Sequence, residues 1–356
     1  MNFALVLTNL VGGGAERAML RLASALKRRG HRAEVILLEP RIEHEVPAEV
    51  TVHALDSSRG WPGRWLAARE LRALFLRLRL GKDCLAVSTL PFADQVATQA
   101  ELPNLWCRIS NTLSAEIEQL QRSSPDKAGR RRARYRDLYE GRELIAVSEG
   151  VAMDLRHGLG LERARIVRIY NGFDLEAIRT AAAQPEPALP AEPFVLHVGR
   201  FMPQKRHDLL LEAWARAGLP HKLVLLTPSS EELRALIAAK GLAGRVVVAG
   251  FKPNPSPWMR AAELLVLSSE REGLPNVLVE ALACGTRVVS TDCPSGPREV
   301  LKGDLARWLV PVDDAPTLAE KMRAALAAPR PGPDAVPAEF TLQKMASDYE
   351  ALAGKR

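Results

Sequence analysis

The feature that most constrains the fold is an alternation of short apolar runs with amphipathic helices, first seen at residues 3–38. A strand is predicted at residues 3–8, followed by the glycine turn Gly12–Gly14, a helix from Ala15 to about residue 30, and a strand at residues 35–38. Apolar side chains recur in this helix every three or four positions. Strand, turn, helix and strand in this order predict a βαβ unit, whose strands pair in parallel.

The same alternation continues through two regions separated by an Ala/Pro-rich stretch. In the first region, further strands are predicted at residues 50–55, 85–88, 105–109 and 144–147, with helices at residues 65–80 and 130–139. Residues 181–193 contain four prolines and predict a linker. Beyond it, strands are predicted at residues 194–198, 223–226, 246–249, 264–267 and 288–290, and helices at residues 208–217, 231–240, 276–284, 317–327 and 341–352.

The chain of 356 residues is long enough for two domains. We predict an α/β fold with two Rossmann-like domains at residues 1–175 and 194–340, a linker at residues 176–193, and a C-terminal helix at residues 341–356 that can pack back on the first domain. Open parallel sheets bind ligands beyond the carboxyl ends of their strands. The predicted site is therefore the cleft between the two parallel sheets.

Composition excludes several other classes of protein. The four cysteines and seven histidines show no metal-ligand spacing, and the cysteines are interpreted as small buried side chains. No apolar run approaches the roughly 18 residues that a membrane-spanning helix needs. The apolar N-terminus lacks a basic leader and is interpreted as the first strand, so a cytoplasmic chain is expected.

The net charge of +7 is unevenly distributed. Residues 1–175 carry 27 Lys and Arg against 21 Asp and Glu, and so hold nearly all of it. An excess of positive charge in one domain favours an anionic partner, such as a membrane surface, a diphosphate or nucleic acid. No nucleic-acid-binding motif or aromatic platform accompanies it, so nucleic acid is not expected.

Three segments carry residues suited to binding a phosphorylated ligand. The turn Gly12–Gly14 lets the backbone approach a ligand at the start of a helix, although its spacing does not match a dinucleotide fingerprint. Arg200 and Lys205 follow a strand and can neutralise a diphosphate. Glu272 and Glu280 flank the start of a helix, where Glu280 can accept hydrogen bonds from ribose hydroxyls. A tight turn, solvated cations and a solvated helical Glu are the alternative interpretations.

With these segments, the chain resembles the retaining glycosyltransferases of family 4, which have the GT-B fold. The resemblance extends over nearly the whole chain and is most specific at the Glu-x7-Glu pair. It rests on the glycine turn, on residues 146–150 and 169–174, on the loop from Gly199 to Lys205, and on Glu272 with Glu280. Residues 292–299 resemble a subgroup that builds cell-surface glycans, often from UDP-sugars such as UDP-N-acetylgalactosamine.

The resemblance implies roles for individual residues. Catalytic roles fall to Arg200, Lys205 and Glu272: the two cations hold the leaving diphosphate, and Glu272 contacts the transferred sugar. Donor-binding roles fall to a larger set: Gly13, Gly14, Phe251, Lys252, Gly273, Leu274, Pro275, Asn276 and Glu280. On the acceptor side, Asn111 stands where the family often has a histidine. Residues 227–229 replace a glycine-rich loop, and Tyr170 stands where proline is common.

No Asp-x-Asp motif occurs in the chain. Metal-dependent transferases use such carboxylates to hold a divalent cation on the diphosphate, so we expect no obligatory metal and no cofactor beyond the nucleotide sugar. Arg200, Lys205 and helix N-termini would then offset the charge of the leaving group. The reaction would pass through an oxocarbenium-like state without a protein nucleophile.

Two basic segments of the sequence suggest that the protein also contacts an anionic membrane surface. Residues 59–65 contain two arginines and two tryptophans and lead into a helix with Arg69, Arg72, Arg77 and Arg79 among leucines. Residues 129–136 form a second basic run. Basic charge beside Trp and Leu suits the surface of an anionic bilayer, although ordinary solvated helix faces would look similar. We expect peripheral attachment to the inner face of the membrane, near a lipid-linked or glycan acceptor.

Two further functions remain open at this point. The first is a non-catalytic protein that binds a nucleotide sugar as the partner of another transferase, because Asn111 replaces the usual histidine. The second is an NAD-dependent oxidoreductase, which the poor dinucleotide fingerprint disfavours. A hexosyltransferase that uses a UDP-sugar in the assembly of surface polysaccharide is the function that the residues favour.

Overall fold

A computed structural model describes residues 1–56 and 63–354. The chain forms two compact units. The first contains Met1–Gly172 together with the chain from Glu339, and the second contains Phe173–Ala338. Each unit is an α/β structure with its own parallel sheet, which confirms the predicted fold class of two Rossmann-like domains.

The first unit contains seven strands and seven α-helices within its described residues. The strands are β1 (Asn2–Leu7), β2 (Arg32–Leu37), β3 (Thr51–Ala54), β4 (Leu85–Thr89), β5 (Leu105–Ile109), β6 (Glu143–Ala146) and β7 (Arg165–Arg168). The helices are α1 (Gly14–Arg28), α2 (Gly63–Arg77), α3 (Pro91–Gln99), α4 (Leu113–Ser123), α5 (Pro125–Tyr139), α6 (Glu149–Met153) and, at the end of the chain, α14 (Leu342–Ala353). Helix α6 continues as a π-helical turn to Gly158, and a 3₁₀ turn at Ala338–Phe340 precedes α14.

Both faces of this sheet are buried, as a parallel sheet between two helix layers requires. The strand order is β3-β2-β1-β4-β5-β6-β7. Along β1, Phe3, Leu5 and Leu7 pack in one core with residues of α1 and α14, whereas Ala4 and Val6 pack in the other with α2 and α3. Alternate residues of a strand therefore pack into cores on opposite faces of the sheet. Because both faces are apolar, the strands of the first unit have apolar residues at consecutive positions in the sequence.

The second unit has six strands in the order β10-β9-β8-β11-β12-β13, all parallel. They are β8 (Phe194–Val198), β9 (Lys222–Leu226), β10 (Val246–Val248), β11 (Leu264–Leu267), β12 (Arg287–Thr291) and β13 (Leu309–Val310). The helices are α7 (Leu175–Ala182), α8 (His207–Ala217), α9 (Glu231–Ala239), α10 (Ser256–Ala261), α11 (Asn276–Ala283), α12 (Pro297–Val300) and α13 (Ala315–Ala327). Short 3₁₀ turns lie at Pro203–Lys205, Gly303–Trp308 and Pro333–Ala335.

The junctions between the units differ in detail from the expected limits. Helix α7 occupies the start of the stretch expected as a linker from residue 176, and it packs on α10 and α11. The side chain of Asp174 caps this helix by accepting a hydrogen bond from the Ala177 amide at 3.1 Å. At the other end, α14 packs against α1, and a Cβ added to Gly172 would lie only 2.8 Å from the Leu342 Cα.

Strand β7 was not predicted. Its sequence, Arg-Ile-Val-Arg, has only two apolar residues. The strand lies at the edge of the sheet, and the arginines at its two ends are exposed. Within the described residues, no helix is long and apolar enough to cross a membrane.

Candidate functional site

In the second unit, the order of the strands along the chain reverses between β8 and β11. β8 pairs with β9 as far as Val198, but its ladder with β11 ends at Leu196. The two strands therefore part at their carboxyl ends, and the loops that follow them, residues 199–206 and 268–275, border the opening. Open parallel sheets bind ligands at such a reversal point.

Lys205 and Glu272 lie on these two loops and form an ion pair with an Nζ–Oε1 distance of 2.6 Å. The hydroxyl of Ser269 donates to the same carboxylate oxygen at 2.6 Å. The exposed fraction is 21% for the Lys205 side chain and 9% for that of Glu272, so solvent reaches the ammonium more than the carboxylate. An ammonium group has three N–H donors, which allows Lys205 to bind an anion while it remains paired with Glu272.

Hydrogen bonds between the two loops hold this pair in place. The side-chain amide of Gln204 donates to the Arg271 carbonyl at 2.8 Å, and the Gln204 carbonyl accepts from the Glu270 amide at 3.0 Å. The Ser268 hydroxyl donates to the Lys205 carbonyl at 2.8 Å. Sequence reasoning gave Gln204 and Ser268 no role, although a serine directly after a buried strand is a signal for such a contact.

The other predicted cation, Arg200, follows β8 and is exposed. Its guanidinium has no ion-pair or hydrogen-bond partner within residues 1–56 and 63–354. The backbone beside it is fixed, because the Phe201 amide donates to the Thr227 hydroxyl at 2.9 Å. The structure therefore brings Lys205 and Glu272 together and leaves Arg200 at the loop surface, with its five donors available to an anion.

The predicted donor-binding loop, residues 273–276, is buried. It packs against the turn at Gly296, where φ is +94° and a Cβ would lie 2.4 Å from the Pro275 Cδ and 2.9 Å from the Gly273 carbonyl oxygen. Only glycine fits this position without displacing the loop. The turn at Gly296, within residues 292–299, therefore supports the loop directly.

Glu280 lies one turn into α11, which begins at Asn276. It is 3% exposed, so the alternative of a solvated helical carboxylate does not hold. Phe251 and Lys252 lie in the loop after β10, at the same edge of the sheet as Lys205. Phe251 is 52% exposed, and the Lys252 ammonium lies 4.9 Å from the centre of the Trp258 ring.

In the first unit, the glycine turn precedes α1, and the φ of Gly12 is +52°. A Cβ on Gly13 would lie 1.9 Å from a carboxylate oxygen of Glu16, which therefore folds back over the turn. The Gly13 amide donates to His44 Nε2 at 3.2 Å and is therefore already paired within the protein. Burial, and next to it the charge of Arg17, lower the pKa of His44 and favour the neutral ring that can accept this bond.

Asn111 stands in the turn between β5 and α4, and its side-chain oxygen accepts from the Thr112 amide at 2.9 Å. A buried cation that sequence reasoning missed lies on β5: Arg108 is 2% exposed and donates to the Thr89 hydroxyl at 3.3 Å and to the side-chain oxygen of Asn171. Burial lowers the pKa of Arg108. A single arginine within an otherwise apolar strand was the available signal.

The two basic segments differ in what their arginines contact. Three arginines of α5 bind within the protein: Arg131 pairs with Glu116, Arg132 donates to the Gly158 carbonyl at 2.9 Å, and Arg136 donates to the Leu159 carbonyl at 3.3 Å. Helix α2 exposes apolar and basic side chains together: Trp65, Leu66, Leu76, Arg69, Arg72 and Arg77. Of these arginines, Arg72 pairs with Glu101 at 3.0 Å. Of the preceding segment, Arg59 to Pro62 lie outside the described residues.

Comparisons with known proteins identify the family of the chain. Residues 192–328 match the family described as glycosyl transferases group 1, and residues 12–177 match glycosyltransferase family 4. A relative from Campylobacter jejuni, N-acetylgalactosamine-N,N'-diacetylbacillosaminyl-diphospho-undecaprenol 4-alpha-N-acetylgalactosaminyltransferase, is 31% identical over 329 residues, which are 89% of this chain and 88% of the relative. The lipopolysaccharide core biosynthesis glycosyltransferase LpsE of Rhizobium meliloti is 34% identical over 155 residues, which are 42% of this chain and 45% of that protein.

Among solved structures, Anabaena HepE in complex with UDP superposes with a TM-score of 0.73 at 18% identity, over 99% of both chains. At this identity the likeness concerns the fold, and it confirms the predicted GT-B class. The two family matches lie on the two units that carry the glycine turn and the Lys205–Glu272 pair. The chain therefore belongs to glycosyltransferase family 4 and is a glycosyltransferase.

Proposed function

We propose that this enzyme transfers a hexose or N-acetylhexosamine from a UDP-sugar to a lipid-linked or glycan acceptor, with retention of configuration, in the assembly of surface glycans. The observation that carries this proposal is the Lys205–Glu272 ion pair at the opening between β8 and β11. It places a cation suited to the leaving diphosphate beside a carboxylate suited to sugar hydroxyls. Arg200, exposed on the same loop, supplies a second cation.

The leaving group sets the main electrostatic demand. When the bond between the anomeric carbon and the β-phosphate oxygen breaks, negative charge grows on the diphosphate, and cations held in place beside it lower the barrier. Lys205 is held by the Glu272 carboxylate and by the hydrogen bond from Ser268 to its own carbonyl, so little reorganisation is required. The guanidinium of Arg200 can grip two phosphate oxygens at once.

The relatives support the choice of donor and acceptor. The solved structure of HepE holds UDP, and the name of the Campylobacter jejuni relative describes transfer of N-acetylgalactosamine to a diphospho-undecaprenol-linked sugar. That relative matches nearly the whole of this chain. We therefore propose UDP as the nucleotide and a lipid diphosphate-linked sugar as the acceptor.

The same comparison supports the proposal of retention. The relative's name specifies an α-linkage, and the common UDP-hexoses carry the sugar in the α-configuration, so an α-product retains it. In the proposed reaction, the anomeric carbon loses its bond to the diphosphate and gains a bond to the acceptor oxygen on the same face. The acceptor's proton passes to a phosphate oxygen of the departing diphosphate, so no protein nucleophile is needed.

We propose that no divalent cation is required. Within the described ranges, no group of three His, Cys, Asp or Glu side chains is placed to hold a metal ion. The chain also lacks an Asp-x-Asp motif. Lys205 and Arg200 would then supply the positive charge that a metal provides in other transferases.

A transfer assay tests the reaction and the metal requirement together. Purified enzyme is incubated with a panel of UDP-, GDP- and ADP-sugars and a lipid diphosphate-linked sugar, and the new linkage is determined by NMR. We expect transfer from a UDP-sugar, an α-linked product, and a rate within about twofold of the original in excess EDTA, because cationic side chains replace the metal. A β-linked product would exclude retention, loss of turnover in EDTA would exclude the metal-free route, and turnover with GDP- or ADP-sugars alone would exclude UDP.

The lipid acceptor places the reaction at a membrane surface, and we propose that α2 makes the contact. Its outward face combines Trp65, Leu66 and Leu76, which are 54%, 48% and 71% exposed, with three arginines. The Arg69 guanidinium lies 4.8 Å from the centre of the Trp65 ring. Exposed Trp and Leu beside arginine suit the headgroup region of an anionic bilayer.

Replacing Trp65 and Leu66 by serine should weaken binding to vesicles that contain anionic phospholipid by at least about tenfold, because two apolar side chains leave the interface. Co-sedimentation with vesicles measures the effect. The matched control is Val247→Ser, which removes an exposed apolar side chain of the second unit, 39% exposed, and should leave binding unchanged. Equal binding by the wild type and the double variant would contradict a role for α2.

A further inference from the structure

A buried histidine, His197, bridges the opening between β8 and β11. It lies on β8 one residue beyond the last pair of the β8–β11 ladder, and it is 0% exposed. Its Nδ1 lies 2.9 Å from the carbonyl oxygen of Val266 on β11. Since a carbonyl only accepts, Nδ1 carries the hydrogen, and the side chain continues the link between the strands where their backbones part.

The other ring nitrogen of His197, Nε2, lies near the Lys205 side chain. With the hydrogen on Nδ1, Nε2 of the neutral ring is a hydrogen-bond acceptor. It is buried and has no hydrogen-bond partner in the part of the chain that the structure describes. A Cβ built on Gly199 would lie 3.4 Å from Nε2 and 3.4 Å from the Lys205 Cδ, so the missing side chain of Gly199 leaves room for the two groups to face each other.

The surroundings keep the ring neutral. Burial lowers the pKa of His197 well below its ordinary value, and the charges of His207 and Lys205 lower it further. His207 packs edge-on against it at 4.7 Å between ring centres, and burial and then Lys205 lower the pKa of His207 to about 4. The Nε2 of the neutral His197 ring can therefore only accept a hydrogen bond from the Lys205 ammonium.

We propose that His197 is a positioning residue for Lys205: its Nε2 accepts one N–H of the Lys205 ammonium when a nucleoside diphosphate is bound. The three donors of the ammonium would then be shared among Glu272, a phosphate oxygen and His197. A buried acceptor without a partner is costly, and this contact would satisfy it in the bound state. The inference rests on the proposed function, because it takes the diphosphate as the ligand of Lys205.

Affinity for UDP tests the inference, measured by calorimetry on the full chain. His197→Asn keeps an N–H donor near the Nδ1 position but removes the Nε2 acceptor, and we expect about tenfold weaker binding, as for loss of a hydrogen bond to a charged group. His197→Gln can place its carbonyl oxygen near the Nε2 position and should recover much of that loss.

In a Lys205→Met background, His197→Asn should change the affinity for UDP by less than about twofold, because the Lys205 ammonium that it would contact is gone. His221→Asn, before β9 at the opposite edge of the sheet, is the matched control.

The outcomes separate this inference from the proposed function. UDP binding by the wild type that is weakened by Lys205→Met but unchanged by His197→Asn would overturn the inference alone. If His197→Asn weakens UDP binding equally in the wild-type and the Lys205→Met backgrounds, His197 has only a structural role, and the inference is overturned as well. If UDP, GDP and ADP all fail to bind the wild type, the proposed function and the inference both fall.

A measurement on the wild type guards against variants that do not fold. With ¹⁵N-labelled histidine, the unprotonated Nε2 of His197 should change its chemical shift when UDP is added, and this change should be absent in Lys205→Met. An Nε2 resonance that UDP leaves unmoved, or one that shows a protonated nitrogen before UDP is added, would overturn the proposal.

Discussion

Replacing Lys205 by methionine is expected to lower kcat for glycosyl transfer by about 10²- to 10³-fold, the usual effect of removing one group that stabilises developing negative charge. Methionine is unbranched and of similar length, so the alkyl part of the side chain still fills its place. Glu272 keeps the hydrogen bond from Ser269, and the loss of folding free energy should be only about 1–2 kcal/mol. Steady-state kinetics and a thermal unfolding curve measure the two effects.

The matched control is Lys240→Met. Lys240 also pairs with a glutamate of the second unit, Glu212, at 3.5 Å, but that pair lies on the surface with side chains 35% and 40% exposed. Exposed pairs contribute little to stability, and this one is remote from the proposed leaving group, so kcat should stay within about twofold. Comparable losses of activity in both variants would point to general destabilisation and would remove Lys205 from the proposed chemistry.

The Lys205–Glu272 pair could be predicted because its members follow two buried strands. Parallel strands end at the same edge of a sheet, so residues that follow two of them lie at that edge whatever the distance along the chain. The Glu-x7-Glu spacing of Glu272 and Glu280 added the family resemblance. What the sequence could not supply is the neighbouring order of β8 and β11, which decides that these two loops, and not others, meet.

The occupation of the Gly13 amide could not be predicted. Its acceptor, His44, lies in an irregular segment between β2 and β3, where neither helical nor strand periodicity indicates a position. That segment is held against the turn by backbone bonds, including one from the Leu10 amide to the Arg41 carbonyl at 2.9 Å. Such contacts depend on the path of the loop, which the local sequence constrains poorly. A ligand that uses the Gly13 amide must therefore displace His44.

Arg108 illustrates a second limit. An arginine in a strand is ordinarily expected at an edge or with its head in water, yet Arg108 lies on β5, between β4 and β6, and is buried. Its partners Thr89 and Asn171 come from the end of β4 and from the chain after β7, so the strand order assembles them. A cation can be buried only where it has polar partners, and these can be distant in sequence. The composition of a strand does not show whether such partners will be present.

Replacing Gly296 by alanine is expected to lower the free energy of unfolding of the second unit by about 2–6 kcal/mol and to reduce kcat at least about tenfold. Two costs add. A φ of +94° is disfavoured for any residue with a Cβ, by about 1–3 kcal/mol. The new methyl group would also overlap Pro275 and the Gly273 carbonyl, and forced overlaps cost about 1–3 kcal/mol more. Because the displaced atoms belong to the loop at residues 273–276, activity falls together with stability.

Gly218→Ala separates these two costs. Gly218 ends α8 with a φ of +61°, and a Cβ there meets nothing within 4 Å, so only the backbone term remains, at about 1–2 kcal/mol. We expect this control to lower the unfolding temperature slightly and to keep full activity. If the two variants lose equal stability, the contact between the Gly296 turn and the loop is unimportant. If Gly296→Ala loses stability but keeps kcat, the loop at residues 273–276 does not hold the donor. If kcat falls in Gly296→Ala but not in Gly218→Ala, the turn at Gly296 positions the loop at residues 273–276.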